Sequence, residues 1–191
     1  MGTSKRSKLF TTAAMAGALG IYGVATLHAD IIVWQGGGIG SNSNFMENPA
    51  NWVGNAVPGS NDIASFGPSS TFLDPAADTG VSFLGITIDN SLGTYTIDHS
   101  GNTTPHSITL NGSGISVSGG GNMTWAASST VFSTAQDWFI DAGSSVTTLN
   151  TAILGLNGKL TKSGAGTLTI NATSTGSGGI EVAQGTFETS R

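Results

Sequence analysis

Cysteine is absent from this chain, and basic residues nearly so. Without cysteine, disulfide scaffolds, thiolate zinc sites, cysteine nucleophiles and cysteine-borne lipid anchors are all excluded. Lys5, Arg6 and Lys8 sit at the extreme N-terminus, and the next basic residues are Lys159, Lys162 and Arg191, so 150 consecutive residues carry neither Lys nor Arg. Nucleic-acid binding depends on neutralising phosphates with those side chains, so no nucleic-acid partner is expected. Proline is confined to Pro49, Pro58, Pro68, Pro75 and Pro105. The proline-free tract from His106 onward suits continuous sheet, because proline cannot donate to a β-ladder.

Gly, Ser, Thr and Asn supply 91 of the 191 residues. That composition borders on low-complexity disorder. Against disorder, 43 Leu, Ile, Val and Phe residues alternate with small polar ones, the pattern of a folded, polar, β-rich chain.

The N-terminus has the layout of an export signal. Lys5, Arg6 and Lys8 form a positive start, and an uncharged segment runs from Leu9 to Leu27 and ends at His28-Ala29-Asp30. Residues 1–29 are therefore expected to form a helical signal peptide cleaved after Ala29, with Ala25 as the alternative. Counted from Asp30, 3 basic residues face 11 acidic ones, and no second apolar span follows. The exported chain is expected to have no membrane span.

Residues 30–80 read as a loop-rich N-terminal capping module with short strands at Ile31–Trp34 and Ile63–Phe66. Trp34, Phe45, Trp52 and Phe66 recur there among Asn, Gly and Pro. Covering the open end of a longer sheet is one reason to place aromatics there. Stacking of Trp34 and Trp52 on sugar rings is another, since indole offers an apolar face with a polar edge.

From residue 81 to 191 the chain becomes a series of short strands. Ile86/Ile88, Tyr95/Ile97, Ile108/Leu110, Ile115/Val117 and Leu168/Ile170 keep period two. Asn90, Asn111-Gly112, Gly119-Gly120-Gly121, Gly143, Asn157-Gly158, Gly164, Gly166 and Gly178-Gly179 read as the turns between strands. Two architectures use such punctuation: an antiparallel meander or sandwich with Asn-Gly hairpins, and a β-solenoid whose strands stack in parallel.

Leu160–Phe187 reads LTKSGAGTLTINATSTGSGGIEVAQGTF. It resembles the autotransporter-associated beta strand repeat, written L-T-K-x-G-x-G-T-L-x-L-x-G, then a Gly-Gly turn, then a strand ending A-x-G-T-L. Leu160, Thr161, Lys162, Gly164, Gly166, Thr167, Leu168, Ile170, Gly178, Gly179, Val182, Gly185 and Thr186 match. Ala172 and Thr173 depart from the pattern, and Phe187 replaces Leu. Trp34, Asn51-Trp52, Pro58-Gly59, Asp62 and Phe66 resemble the amino-terminal module such bacterial proteins carry. The resemblance implies an all-β, right-handed parallel β-helix exported to the bacterial surface or beyond, with the repeat at about 158–187. Longer members of the family end in an outer-membrane barrel or a sorting tail, so this chain reads as short or truncated. In such a corner Lys162 is expected to extend into solvent as a solubilising turn residue.

Parallel β-helices also host polysaccharide lyases and hydrolases. A lyase needs a strong base beside a Ca²⁺-holding carboxylate cluster, and a glycosidase needs two carboxylates across a cleft. Basic residues are scarce, and Asp89, Asp98, Asp137 and Asp141 each end a strand where Asp is a common turn former. His99 and His106 lack metal-ligand spacing and read as two loop histidines. Gly119–Gly121 precedes no helix and no Lys, so no phosphate loop is indicated. No catalytic, cofactor-binding or metal-binding set is expected, and no cofactor. The expectation is a non-enzymatic, secreted or cell-surface structural or display protein, adhesion included. Its expected partners are a surface glycan or other copies of itself, through open solenoid ends. The alternatives are a carbohydrate-binding module built on Trp34 and Trp52, with Trp125 as a further platform, and a β-helix polysaccharide-degrading enzyme.

Overall fold

The computed structural model describes residues 29–38, 44–68, 70, 72–89, 91, 93–99, 106–127, 129–148 and 153–189. The expected signal peptide lies almost wholly outside them, as does the Asn90 turn.

The first coils carry β1 (Ile31–Trp34), β2 (Ile63–Phe66) and the short β3 (Ala76–Ala77). Two long strands follow, each with a shorter partner: β4 (Val81–Asp89) with β5 (Thr94–His99), then β6 (Ser107–Ser118) with β7 (Asn122–Trp125). Thereafter each coil has three strands. They are β8 (Ser129–Phe132), β9 (Gln136–Ile140) and β10 (Ser145–Thr148), then β11 (Ile153–Leu156), β12 (Leu160–Ser163) and β13 (Thr167–Ile170). The last described coil holds β14 (Thr173–Thr175), β15 (Ile180–Val182) and β16 (Thr186–Thr189).

Every named strand pairs in parallel with the strand one coil away, giving a parallel β-solenoid of about five turns. The antiparallel meander is excluded on that ground. One sheet of ten strands forms two faces of each coil and a sheet of six forms the third. In β4 and β6 the first two faces are one continuous strand. From β8 onward a turn divides them, because β8 pairs with the first half of β6 and β9 with the second.

Asn111-Gly112 is therefore not a hairpin turn. It lies inside β6, where the register jumps from Phe83↔Leu110 to Gly85↔Gly114. The extra residues form a bulge that bends the strand around the corner between faces. Gly114 is required in that bend: φ is +70°, and a Cβ there would come within 2.0 Å of the Asp137 carbonyl oxygen.

The alternation seen in the sequence builds columns running along the coil axis. One interior column is Ala64, Ile86, Ile115, Trp138, Lys162 and Val182. Another is Tyr95, Met123, Val146, Leu168 and Phe187. Each coil thus covers the apolar side chains of the one before, and burying a Val, Leu, Ile or Phe side chain is worth roughly 1.5–3 kcal/mol. Two buried hydroxyls are paired locally, whereas the Trp138 indole N–H in the first column meets no hydrogen-bond partner among the described residues. Thr130 Oγ1 accepts from the Trp125 indole at 2.6 Å, and Thr148 Oγ1 accepts from the Asn171 amide at 3.0 Å. Outside, Thr96, Thr124, Thr147 and Thr169 form an uncharged ladder. Ser145 Oγ donates to Asn122 Oδ1 across it at 2.6 Å.

Candidate functional site

Three features singled out from the sequence have defined places: the aromatic cluster of residues 30–80, the acidic and histidine candidates, and Lys162 in the repeat.

Trp34, Trp52 and Trp125 are fully buried. Trp34 and Trp52 meet edge-to-face with centroids 5.0 Å apart, and both pack on Phe66. Their polar edges are used internally: the Trp34 indole donates to Phe72 O at 3.0 Å and that of Trp52 to Met46 O at 2.7 Å. The two residues also form an antiparallel bridge, and the Gln35 and Gly36 amides both donate to Asn51 O. Asn51, itself buried, accepts from the Gly38 amide and donates to Phe45 O. The sugar-platform reading of these tryptophans is thereby overturned, since a stacking platform needs an open ring face and none of the three has one.

This plug is latched to the coils by Glu47. Its carboxylate accepts from the amides of Asp78, Thr79 and Gly80 at 2.9–3.2 Å, the turn that leads into β4. Composition gave no hint of Glu47. A carboxylate among three successive amides is a contact the fold creates between distant segments.

The acidic candidates occupy structural positions. Asp137 lies outward on β9 and accepts from Ser163 Oγ of the next coil at 2.7 Å. Asp141 caps the following corner, accepting from the Ala142 amide at 2.7 Å. Asp98 is on β5, aligned with Ala76, while Asp89 ends β4 on a different sheet. His99 ends β5. Contrary to the expectation of a solvent-facing loop histidine, His106 has a buried Nε2 that meets no hydrogen-bond partner among the described residues. No group of three or more His, Asp and Glu among the described residues could hold a metal. Among the same residues no helix is long and apolar enough to cross a membrane.

Lys162 overturns its expected place most sharply. It is not a solvent-facing turn residue but is fully buried, in the interior column between Trp138 and Val182. The reason is the strand period: Leu160 faces in, Thr161 out, and Lys162 in again. Its stem takes the place that apolar side chains fill elsewhere in the column. The ammonium carries three donors, and three carbonyls accept them: Ser163 O at 2.7 Å, Gly164 O at 2.7 Å and Gln184 O at 3.0 Å. Burial pulls its pKa below the ordinary lysine value, and the Asp137 carboxylate pulls the other way. The corner around it has no room for side chains. A Cβ on Gly164 would come within 2.3 Å of Ile140 O, and one on Gly185 within 2.7 Å of the Lys162 nitrogen itself. Lys159, three residues earlier, is exposed and pairs with Glu181.

The chain matches no family model, and no curated protein or solved structure matches it.

Proposed function

We propose that this chain is a non-enzymatic, exported bacterial structural or display protein, whose body is a right-handed β-solenoid of the autotransporter-associated repeat type. The observation that carries the reading is the continuity of the columns. Interior side chains stack coil on coil, while the outer ladder of Thr96, Thr124, Thr147 and Thr169 is polar and uncharged. Such a coil extends in one direction and presents a repeating surface, which suits a spacer or a display stalk. The residues that suggested chemistry serve packing and corner formation: Trp34 and Trp52 in the plug, Asp137 and Asp141 at a ladder and a corner, Lys162 in the interior. Export rests on the Lys5–Ala29 signal pattern, and residues 30–80 act as the cap. Association through solenoid ends remains part of the proposal.

The test is expression of the full chain in a Gram-negative host, with fractionation, intact-mass measurement and protease treatment of whole cells. The expected result is an exported protein beginning at Asp30, reached by external protease, with no turnover of a panel of neutral and acidic polysaccharides. Retention of Met1–Ala29 on a cytoplasmic product would overturn the export reading. Release of reducing ends or unsaturated sugars would overturn the non-enzymatic one.

A further inference from the structure

We infer that Lys162 is a latch joining one coil to the next, and that residues 173–189 form a strap that opens as a unit when the latch lets go. The strap buries little of its own. Thr173–Thr175 are exposed throughout, Val182 is 43% exposed, and only Ile180 and Phe187 pack against the core. A segment with so few apolar contacts belongs to the low-stability end of a fold. Beyond the parallel ladders of β14, β15 and β16 and the backbone bonds at Gly178 and Gly179, two exposed contacts hold it, Lys159 with Glu181 and the Thr169 hydroxyl with Glu188, together with one buried residue, Lys162. The Lys162 side chain donates to Gln184 O, and the Lys162 carbonyl accepts from the Ala183 amide at 2.9 Å and the Gln184 amide at 3.3 Å. Lys162 therefore grips the strap corner from both its side chain and its backbone. The other two carbonyls on its nitrogen, Ser163 O and Gly164 O, belong to its own corner. The nitrogen's three donors are thus divided between two successive coils. When the strap lifts, a carbonyl partner is lost and the interior end of the Trp138–Lys162 column is uncovered.

Lys159 makes the inference testable on the full chain, because it is an exposed amine three residues from the buried one. Pulsed amine acylation read by peptide mass spectrometry, which also separates Lys5, Lys8 and the N-terminal amine, is run beside amide hydrogen exchange. Lys159 is expected to react readily, since its ion pair with Glu181 is exposed to solvent. Lys162 is expected to react only as often as the amides of β15 and β16 open, and those amides should open more often than the amides of β9 and β10. Lys162→Met keeps an apolar stem in the column and removes the donors. It is expected to raise strap exchange by about tenfold or more, the scale of a charge-assisted hydrogen bond, and to leave β9 and β10 unchanged. Acylation of Lys162 at the rate of Lys159 overturns the latch, as does unchanged strap exchange in Lys162→Met. If the variant does not fold, the wild-type comparison decides alone. Lys162 reacting much more rarely than the strap amides open would show that something other than the strap covers it.

Discussion

Trp52 separates the plug from a ligand platform. Its indole is fully buried, meets the rings of Trp34, Phe66 and Phe83 at centroid distances of 5.0, 5.7 and 6.3 Å, and donates to Met46 O at 2.7 Å. Truncation of a buried tryptophan to alanine costs about 3–5 kcal/mol, and part of that sum is the unpaired carbonyl, about 1–3 kcal/mol. Trp52→Ala is therefore expected to lose about 4 kcal/mol, a large share of the roughly 5–15 kcal/mol that holds a typical domain together. Trp52→Phe keeps ring contacts and loses the indole hydrogen bond, so about 1–2 kcal/mol is expected. Val53, the next residue, is 54% exposed, and Val53→Ala should stay within about 0.5 kcal/mol. Urea unfolding followed by far-UV circular dichroism measures all three. A Trp52→Ala midpoint equal to wild type would refute the plug, because an exposed platform is the arrangement in which that ring could be removed without cost.

Adjacent glycines should behave oppositely. A Cβ on Gly178 would lie 2.1 Å from Gly158 O, whereas one on Gly179 meets nothing within 4 Å; Gly178→Ala should cost about 2 kcal/mol or more and Gly179→Ala about nothing, by the same unfolding assay. The pH dependence has a defined sign. Because the folded pKa of Lys162 is lowered, rising pH takes its proton from the fold before it takes one from the unfolded chain, so stability should increase as pH climbs toward the ordinary lysine value. Lys162→Met should abolish that increase in urea midpoints measured across the alkaline range. Tyr95 acts oppositely: burial raises its pKa, its hydroxyl donates to Gly67 O at 2.7 Å, and the stability it lends below the ordinary tyrosine value should be lost as pH rises through the folded one, an effect that Tyr95→Phe removes.

Strands in which apolar residues alternate were legible because the coil needs only that alternation, and Ile31–Trp34 and Ile63–Phe66 have the bounds the sequence implies. The strands that escaped notice are those whose own residues argue weakly for sheet. Thr173–Thr175 has no apolar residue and is a strand because Ile153–Gly155 templates it. Ala76–Ala77, Asn122–Trp125 and Thr186–Thr189 likewise take their conformation from the coil beneath. Asn111-Gly112 misled because the same residues serve a hairpin or a bulge, and only the strand alongside decides which. For Lys162 the signal was present. Period two set the position inward, and the ordinary preference of lysine for solvent concealed it, since three backbone carbonyls that quench an ammonium are invisible in a sequence. The tryptophans left a cap and a platform both open for a related reason: Gly and Asn around Trp34 and Trp52 suggest open loops, yet those loops fold over the rings.

The parallel, in-register coil is the claim on which everything else rests, and the absence of cysteine makes it directly measurable. Thr124 and Thr147 are register partners on adjacent coils, and Thr169 is the next in the same outer column. Adjacent strands stand about 4.8 Å apart, within the roughly 4.4–6.8 Å Cα separation that a disulfide spans. A Thr124→Cys/Thr147→Cys double variant should oxidise quantitatively under mild conditions and stay folded, while Thr124→Cys/Thr169→Cys, two coils apart, should not. Failure of the first pair to cross-link, or equal cross-linking of the second, would contradict the solenoid.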